Sequence, residues 1–437
     1  MAIEMNIVKH TPPLFSELAV SNVSLKKRST QLCRRFLATC GSILLISLLA
    51  IPMFTVQAEV SGNISLEGRY FNSEGAFPNQ QKNGGVSISV QPEYKKTWND
   101  DRTKFTFSPF YRWDEQDKER THGDIRQLDI VSSKGDWDFQ VGISKVYWGV
   151  TESQHLVDII NQTDGVEGLD GEDKLGQPMA RVSRLTDNGS LDLFVLPYFR
   201  ERTFAGEKGR FRIPLVVDAK GATFESGSKE KHVDFAMRWS ETFEEFDVGF
   251  HYFDGTSRDP DFSKSAPVVI NGVQKIAPHY PQISQMGIDL QYTGESTIYK
   301  LEAINRNFDD GAIKDYTAVV GGLEHTLPAF ESGSEIGLLA EYHHDSRGEK
   351  LGVAFQNDLF VGARFALNDE DSSELLAGAF VDLDNDTKSF RIEASRRLGK
   401  GFKLNLEAQA FIDVDKSDLL DAFKQDDYLQ LELQKFF

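Results

Sequence analysis

The chain has 437 residues, with 48 Lys and Arg against 67 Asp and Glu, and its two cysteines are Cys33 and Cys40. The acidic excess argues against nucleic acid or an anionic lipid surface as a partner. With no cysteine after position 40, a disulfide framework and Cys-ligated zinc or iron–sulfur centres are excluded from the rest of the chain.

Residues 1–25 suggest no role. Lys26, Lys27, Arg28, Arg34 and Arg35 then precede an apolar run, 36–56, that closes on Val56-Gln57-Ala58. Basic region, apolar region and small-residue site predict a cleavable secretory signal within 1–58, and so export. A retained membrane helix is the alternative, because about 20 apolar residues span a bilayer. Leu37-Ala38-Thr39-Cys40-Gly41 looks like a lipoprotein acylation box, but most of the apolar run follows it, so the match is read as chance. Removing 58 of the 437 residues leaves 379, with 42 basic and 65 acidic side chains and a net charge of −23. No apolar stretch of 18 residues follows Ala58, so no further membrane helix is predicted.

From Val60 onward the hydrophobic period is two. Trp137, Phe139, Val141 and Ile143 alternate with Asp138, Gln140 and Gly142; Val233, Phe235, Met237 and Trp239 alternate with Asp234, Ala236 and Arg238. The pattern predicts about 18 strands, with 16 as the alternative count. They lie near 60–71, 84–95, 103–113, 123–133, 136–147, 178–187, 190–202, 231–240, 244–253, 283–293, 296–306, 315–326, 334–344, 357–368, 373–383, 387–397, 401–412 and 428–437. Short connections such as Asn99-Asp100-Asp101 and Asp187-Asn188-Gly189 alternate with longer ones at 148–177, 203–230, 254–282, 345–356 and 413–427. Long loops on one side and tight turns on the other predict an all-β fold: a transmembrane antiparallel barrel, residues 59–437, with long extracellular loops and short periplasmic turns. Tyr70, Trp113, Trp148, Trp239 and Tyr428 are candidates for interfacial aromatic girdles.

In the final strand Leu429, Leu431, Leu433 and Phe437 share one face, and Gln430, Glu432 and Gln434 the other. A terminal Phe on such a strand resembles the C-terminal sorting signal of Gram-negative outer-membrane barrels. That signal also has an aromatic two residues earlier, where this chain has Lys435, a side chain long enough to snorkel at a membrane edge. The resemblance implies recognition by the barrel-assembly machinery and residence in outer-membrane lipid.

Side chains do not fill the lumen of a barrel this wide, so an aqueous channel for small solutes is expected. Alternation places Arg69, Arg112, Arg200, Arg238 and Arg364, with Glu67, Asp234, Asp289 and Glu407, on the lumen face. Loop 148–177 carries Glu152, Asp158, Asp164, Glu167, Asp170 and Asp173, and the spacing of Leu156, Ile159 and Ile160 predicts a short helix in it. By position this loop resembles the one that general porins fold inward after their fifth strand. An acidic loop facing arginines would set up a transverse field that sorts solutes by charge. An exposed acidic loop at the cell surface is the alternative.

A further resemblance covers roughly residues 136–262. The run from Gly142 to Gly149 ends in Trp148-Gly149, Ile160-Asn161 and Asp164 follow, and Leu193–Phe199 carries a Pro197-Tyr198 pair. With Tyr252-Phe253-Asp254-Gly255 and Arg258-Asp259-Pro260, these motifs look like a Gram-negative outer-membrane porin-like family of unknown function. The resemblance implies a barrel and an envelope location, without a substrate or assigned site residues.

Other chemistry is thinly represented. Asp382-x-Asp384-x-Asp386 with Glu393 resembles a calcium loop, but Thr387 replaces the obligatory glycine and a hairpin tip explains it better. His343-His344 lacks a third metal ligand, and no nucleophile elbow, P-loop, dinucleotide fingerprint or His-Glu-x-x-His occurs. The reading is a non-enzymatic porin-like channel without cofactor or metal, its oligomeric state open, passing small solutes by passive or selective diffusion. A barrel enzyme acting on lipid or surface polymer, and a soluble periplasmic β-protein binding envelope components, are the alternatives.

Overall fold

The computed structural model describes residues 58–329, 333–348 and 353–437. The predicted export signal up to residue 57 lies outside the described residues.

Eighteen strands follow the period-two pattern. In chain order they are β1 (Ala58–Phe71), β2 (Gly84–Trp98), β3 (Thr103–Asp114), β4 (His122–Lys134), β5 (Trp137–Ser144) and β6 (Gln177–Leu185). Then come β7 (Gly189–Leu196), β8 (Asp234–Phe243), β9 (Phe246–Thr256), β10 (Gln282–Thr293), β11 (Thr297–Phe308) and β12 (Tyr316–Pro328). The last six are β13 (Glu335–Asp345), β14 (Asn357–Ala366), β15 (Glu374–Asp382), β16 (Lys388–Arg397), β17 (Phe402–Ile412) and β18 (Tyr428–Phe436). Each strand pairs antiparallel with its sequence neighbours in one sheet. The sheet closes where β18 pairs with β1, from Tyr428 opposite Phe71 to Phe436 opposite Asn63. Phe437 continues that ladder through two backbone bonds with Gly62. Closure leaves no strand edge unpaired in the barrel wall.

The two faces of each strand have opposite environments. In β1, Ile64 and Leu66 are exposed while Ser65 and Glu67 are buried inside. Leu429, Leu431 and Leu433 of β18 are likewise exposed on the outer face. Lys435 shares that face, and its ammonium lies 4.5 Å from the centre of the Phe402 ring. An apolar outer belt with a polar interior is the pattern of a membrane-spanning barrel. It removes the soluble periplasmic alternative, because water would be left facing apolar surface all around the wall.

Several local expectations are corrected. The fifth strand stops at Ser144 rather than 147, because the Val146 N–H is taken by the Asn161 side chain at 2.8 Å. The seventh stops at Leu196 rather than 202, because Pro197 has no N–H to continue the ladder. Arg200 therefore lies in a loop, not on the wall. No helix forms in 148–177. Several of its backbone N–H groups go instead to carboxylates on distant strands. Trp148 and Tyr428 are not girdle residues: both face inward, at 4% and 6% exposure, whereas Tyr70 and Trp113 are exposed on the outer face. The Asp382 carboxylate caps its own hairpin through the N–H groups of Asp384 and Asn385, as a tight turn requires.

Candidate functional site

Segment 145–176, between β5 and β6, runs through the barrel interior. Its base is clamped by Asn161, whose amide donates to the carbonyls of Ser144 (2.9 Å) and Leu175 (2.8 Å) while its oxygen accepts from Val146. Gly149, at φ +146°, turns the chain inward. A Cβ there would lie 3.0 Å from Glu302 Oε1 and 2.7 Å from the His155 ring. Trp148, Val157, Ile159 and Ile160 then pack with Phe194, Phe253 and Ile283 in an apolar cluster inside the wall.

Beyond the base the segment is fastened by wall side chains. Glu302 of β11 accepts from the backbone N–H groups of Val150 (2.7 Å), Thr151 (3.0 Å) and Val157 (3.2 Å). Glu341 of β13 accepts from Glu152 N (2.8 Å) and Ser153 N (2.9 Å). Both wall carboxylates are almost fully buried. They do the work that intrahelical bonds would do in a helix, at the greater strength of charge-assisted bonds. From the β9 side, Arg258 donates to the Ile160 carbonyl at 3.0 and 3.2 Å and to Asp234 at 2.8 Å. Gly255, at φ +155°, leaves the room Asp234 needs.

Each sequence-predicted acid can be placed. Glu152 pairs with Arg364 of β14 at 2.6 Å, and Asp158 with Lys174 at 3.1 Å. Asp164, fully buried, binds Arg126 (2.6 Å), His122 (3.0 Å) and Thr203 (2.6 Å). Glu167 binds Arg112 at 2.7 Å, and Arg112 also holds Glu67 at 3.0 Å. Asp170 reaches Arg391 of β16 at 2.6 Å. Asp173 is exposed and has no ion pair among the described residues. Its depth among protein groups, reinforced by Glu167 and Asp170, raises its carboxyl to about 7.

The predicted arginines divide. Arg69 lies beside Glu67 and donates to Gln430 (2.7 Å) and to the Glu167 carbonyl (3.3 Å). Arg200, from its loop, binds Asp124 at 2.6 Å. Arg238 forms a two-pronged pair with Asp289, both bonds 2.8 Å, rather than with an acid of the segment, and its guanidinium lies 5.2 Å from the centre of the Trp148 ring. Acids and arginines thus meet in contact rather than facing each other across water. Sequence reasoning missed Arg120, Arg126, Arg391, Glu302 and Glu341. Strand alternation marked Arg126, Arg391, Glu302 and Glu341 as polar-face positions, and Arg120 lies in the turn before β4, but nothing local names their partners. Donor atoms of His122, Asp164 and Glu167 lie within 4.8 Å of one another, a geometry open to a metal. Arg126 and Arg112 already supply cations to those two carboxylates.

No family model matches the chain, and no curated protein matches it. Solved structures do. A BenF-like porin from Pseudomonas fluorescens Pf-5 aligns over 88% of this chain and 98% of its own, at 9% identity and a TM-score of 0.51. OccK8 (OprE) of Pseudomonas aeruginosa aligns over 87% and 98%, at 10% identity and a TM-score of 0.50. The chain has the fold of an outer-membrane porin. In this porin-type barrel, β14 lies nine strands from β5 in either direction around the ring of eighteen. The Glu152–Arg364 pair therefore joins the inserted segment to the wall opposite its origin.

Proposed function

We propose that the protein is an outer-membrane channel through which small solutes diffuse without an energy source, with segment 145–176 as its constriction. The observation that carries this reading is the path of the segment across the barrel, tied to β14 by Glu152 and to β16 by Asp170. A segment held on opposite walls narrows whatever passage the wall leaves. Buried ion pairs such as Arg112–Glu167 fix its position, since breaking one would strand a charge in a low-dielectric site. In this reading residues 1–58 direct export, residues 59–437 form the channel domain, and β18 presents the assembly signal.

Asp170 and Asp173 flank Glu172 at the segment tip, where all three acids are exposed. Purified protein in planar bilayers should give stepwise conductance. Replacing Asp170 and Asp173 by Asn should move the reversal potential in a salt gradient, and an unmoved potential would remove the constriction role from the tip.

A barrel hydrolase is the second reading, favoured by one contact: Ser153 Oγ lies 2.8 Å from His343 Nε2. The same hydroxyl is bound to Glu341, and His343 is 1% exposed, so the pair has the surroundings of an anchor. Hydrolysis of phospholipid or peptide by the purified protein, abolished in Ser153→Ala, would revive this reading.

A further inference from the structure

The inserted segment meets the wall on both sides of a single strand. Glu152 binds Arg364 on β14 and Asp170 binds Arg391 on β16. Between these limbs, His155 Nε2 lies 3.2 Å from the Glu172 carboxylate. The three pairs and the inner face of β15 make a closed circuit of contacts.

The wall within that circuit differs from its neighbours. β16 turns Ser389, Arg391 and Glu393 inward, and β17 turns Asn405, Glu407 and Gln409 inward. β15 presents Leu376, Gly378 and Phe380 instead. Gly378 sits opposite Arg391, and Leu376 opposite Glu393. On the other side, Phe380 sits opposite Phe360 and Gly378 opposite Gly362. A Cβ at Gly378 would fall 2.4 Å from the Phe360 ring, so the glycine lets that ring lie along the wall. The rings of Phe360 and Phe380 are 5.0 Å apart, and Phe355 stacks on Phe380 at 4.2 Å. Phe380 and Leu376 remain only half-buried. The His343 ring lies 5.5 Å from the Phe380 ring as well, so one end of this apolar strip is packed, while Leu376 and part of Phe380 stay open in an otherwise polar lumen.

The charges have a sign. The three pairs of the circuit are neutral when His155 is protonated. Glu393 and Glu407 both contact Arg391, at 2.5 and 3.3 Å, and are left in excess. Of these two, Glu393 is the more open, with 46% of its side chain exposed against 23% for Glu407.

We propose that this circuit is the selectivity aperture and that the solute class it favours is a small organic cation carrying an apolar or aromatic group. The inference rests on the channel reading. Excess carboxylates attract the cationic end and repel anions. The aromatic faces attract the same charge, and Leu376 and Phe380 offer the apolar end a surface that excludes water.

The test uses the intact protein in planar bilayers carrying a potassium chloride current, with benzylammonium, ethanolammonium or benzoate added at equal concentration. Benzylammonium should interrupt the current most. Phe380→Ser and Leu376→Ser should each weaken that block by roughly twofold to fivefold, the scale of one exposed cation–aromatic or apolar contact. Replacing Glu393 and Glu407 by Gln should weaken the block by both ammonium ions. Equal block by the two ammonium ions, or stronger block by benzoate, would overturn the inference and leave the channel reading standing. Absence of any current would overturn both.

Discussion

Glu152 and Arg364 stand 2.6 Å apart across the barrel, although the segment bearing Glu152 leaves the wall nine strands away from Arg364. This pair is partly open, with side-chain exposures of 23% and 34%. Exposed pairs contribute only about 0–1 kcal/mol. Arg364→Ala is therefore expected to change barrel stability little while loosening the far end of the segment. Hydrogen exchange of residues 150–157 should show faster exchange in the variant. Unchanged protection together with a large loss of stability would mean that Arg364 supports the wall instead.

Asp164 predicts the opposite balance. It is fully buried and faces Arg126, His122 and Thr203. Burial alone would raise its carboxyl, but the hydrogen bond from His122 and the charge of Arg126 hold it well below the usual carboxylate range. Asp164→Asn removes the closer of the two carboxylates on Arg126, which keeps Asp124 at 3.2 Å, with an expected cost of about 1–3 kcal/mol. A heat-modifiability midpoint on a denaturing gel should fall sharply. A midpoint close to that of the parent would show that Arg126 has other sufficient partners.

The segment should also loosen in alkali. Burial lowers the His155 pKa, but hydrogen bonds to the Glu172 and Glu302 carboxylates outweigh it and push the group up to about 9. A raised folded-state pKa means that the contribution is fully present below the unfolded value of about 6.5 and is lost as pH rises through 9. Protection of residues 150–157 against exchange, corrected for intrinsic rate, should decline between pH 7 and 10. His155→Gln should remove that decline, and a persistent decline in this variant would assign it elsewhere.

The outer face makes a membrane prediction. Leu431 is exposed on the outside of β18. Leu431→Arg near the bilayer midplane should cost about 2–4 kcal/mol, and the equivalent change at the lumen-facing Gln430 much less. Folding titrations into lipid vesicles compare the two. Equal costs would contradict the assigned faces.

The strands were legible because a wall with lipid on one side and water on the other imposes a period of two on every segment. The alternating loop lengths then gave the direction of the chain. Strand ends were less legible where a side chain replaced a ladder partner, as Asn161 does for Val146. The motifs Trp148-Gly149, Ile160-Asn161, Asp164, Gly255 and Arg258 stood out in the sequence, and all fasten or make room for the inserted segment. Their roles were hidden because the partners are remote: Asp170 and Arg391 are 221 positions apart, and Val150 and Glu302 are 152. Barrel closure sets those meetings, and no local pattern encodes them. The helix expected from Leu156, Ile159 and Ile160 failed for the same reason, since Glu302 holds the N–H groups of Val150, Thr151 and Val157 and fixes the chain there as a loop.

Single-channel conductance with and without the tip of the inserted segment tests the central claim most directly. Residues 168–173 would be replaced by two glycines, which removes Asp170, Glu172 and Asp173 but keeps Asn161, Asp164 and Glu167. In potassium chloride the parent should conduct, and the shortened variant should conduct more per pore. Equal conductance, or no conductance from either protein, would contradict the account.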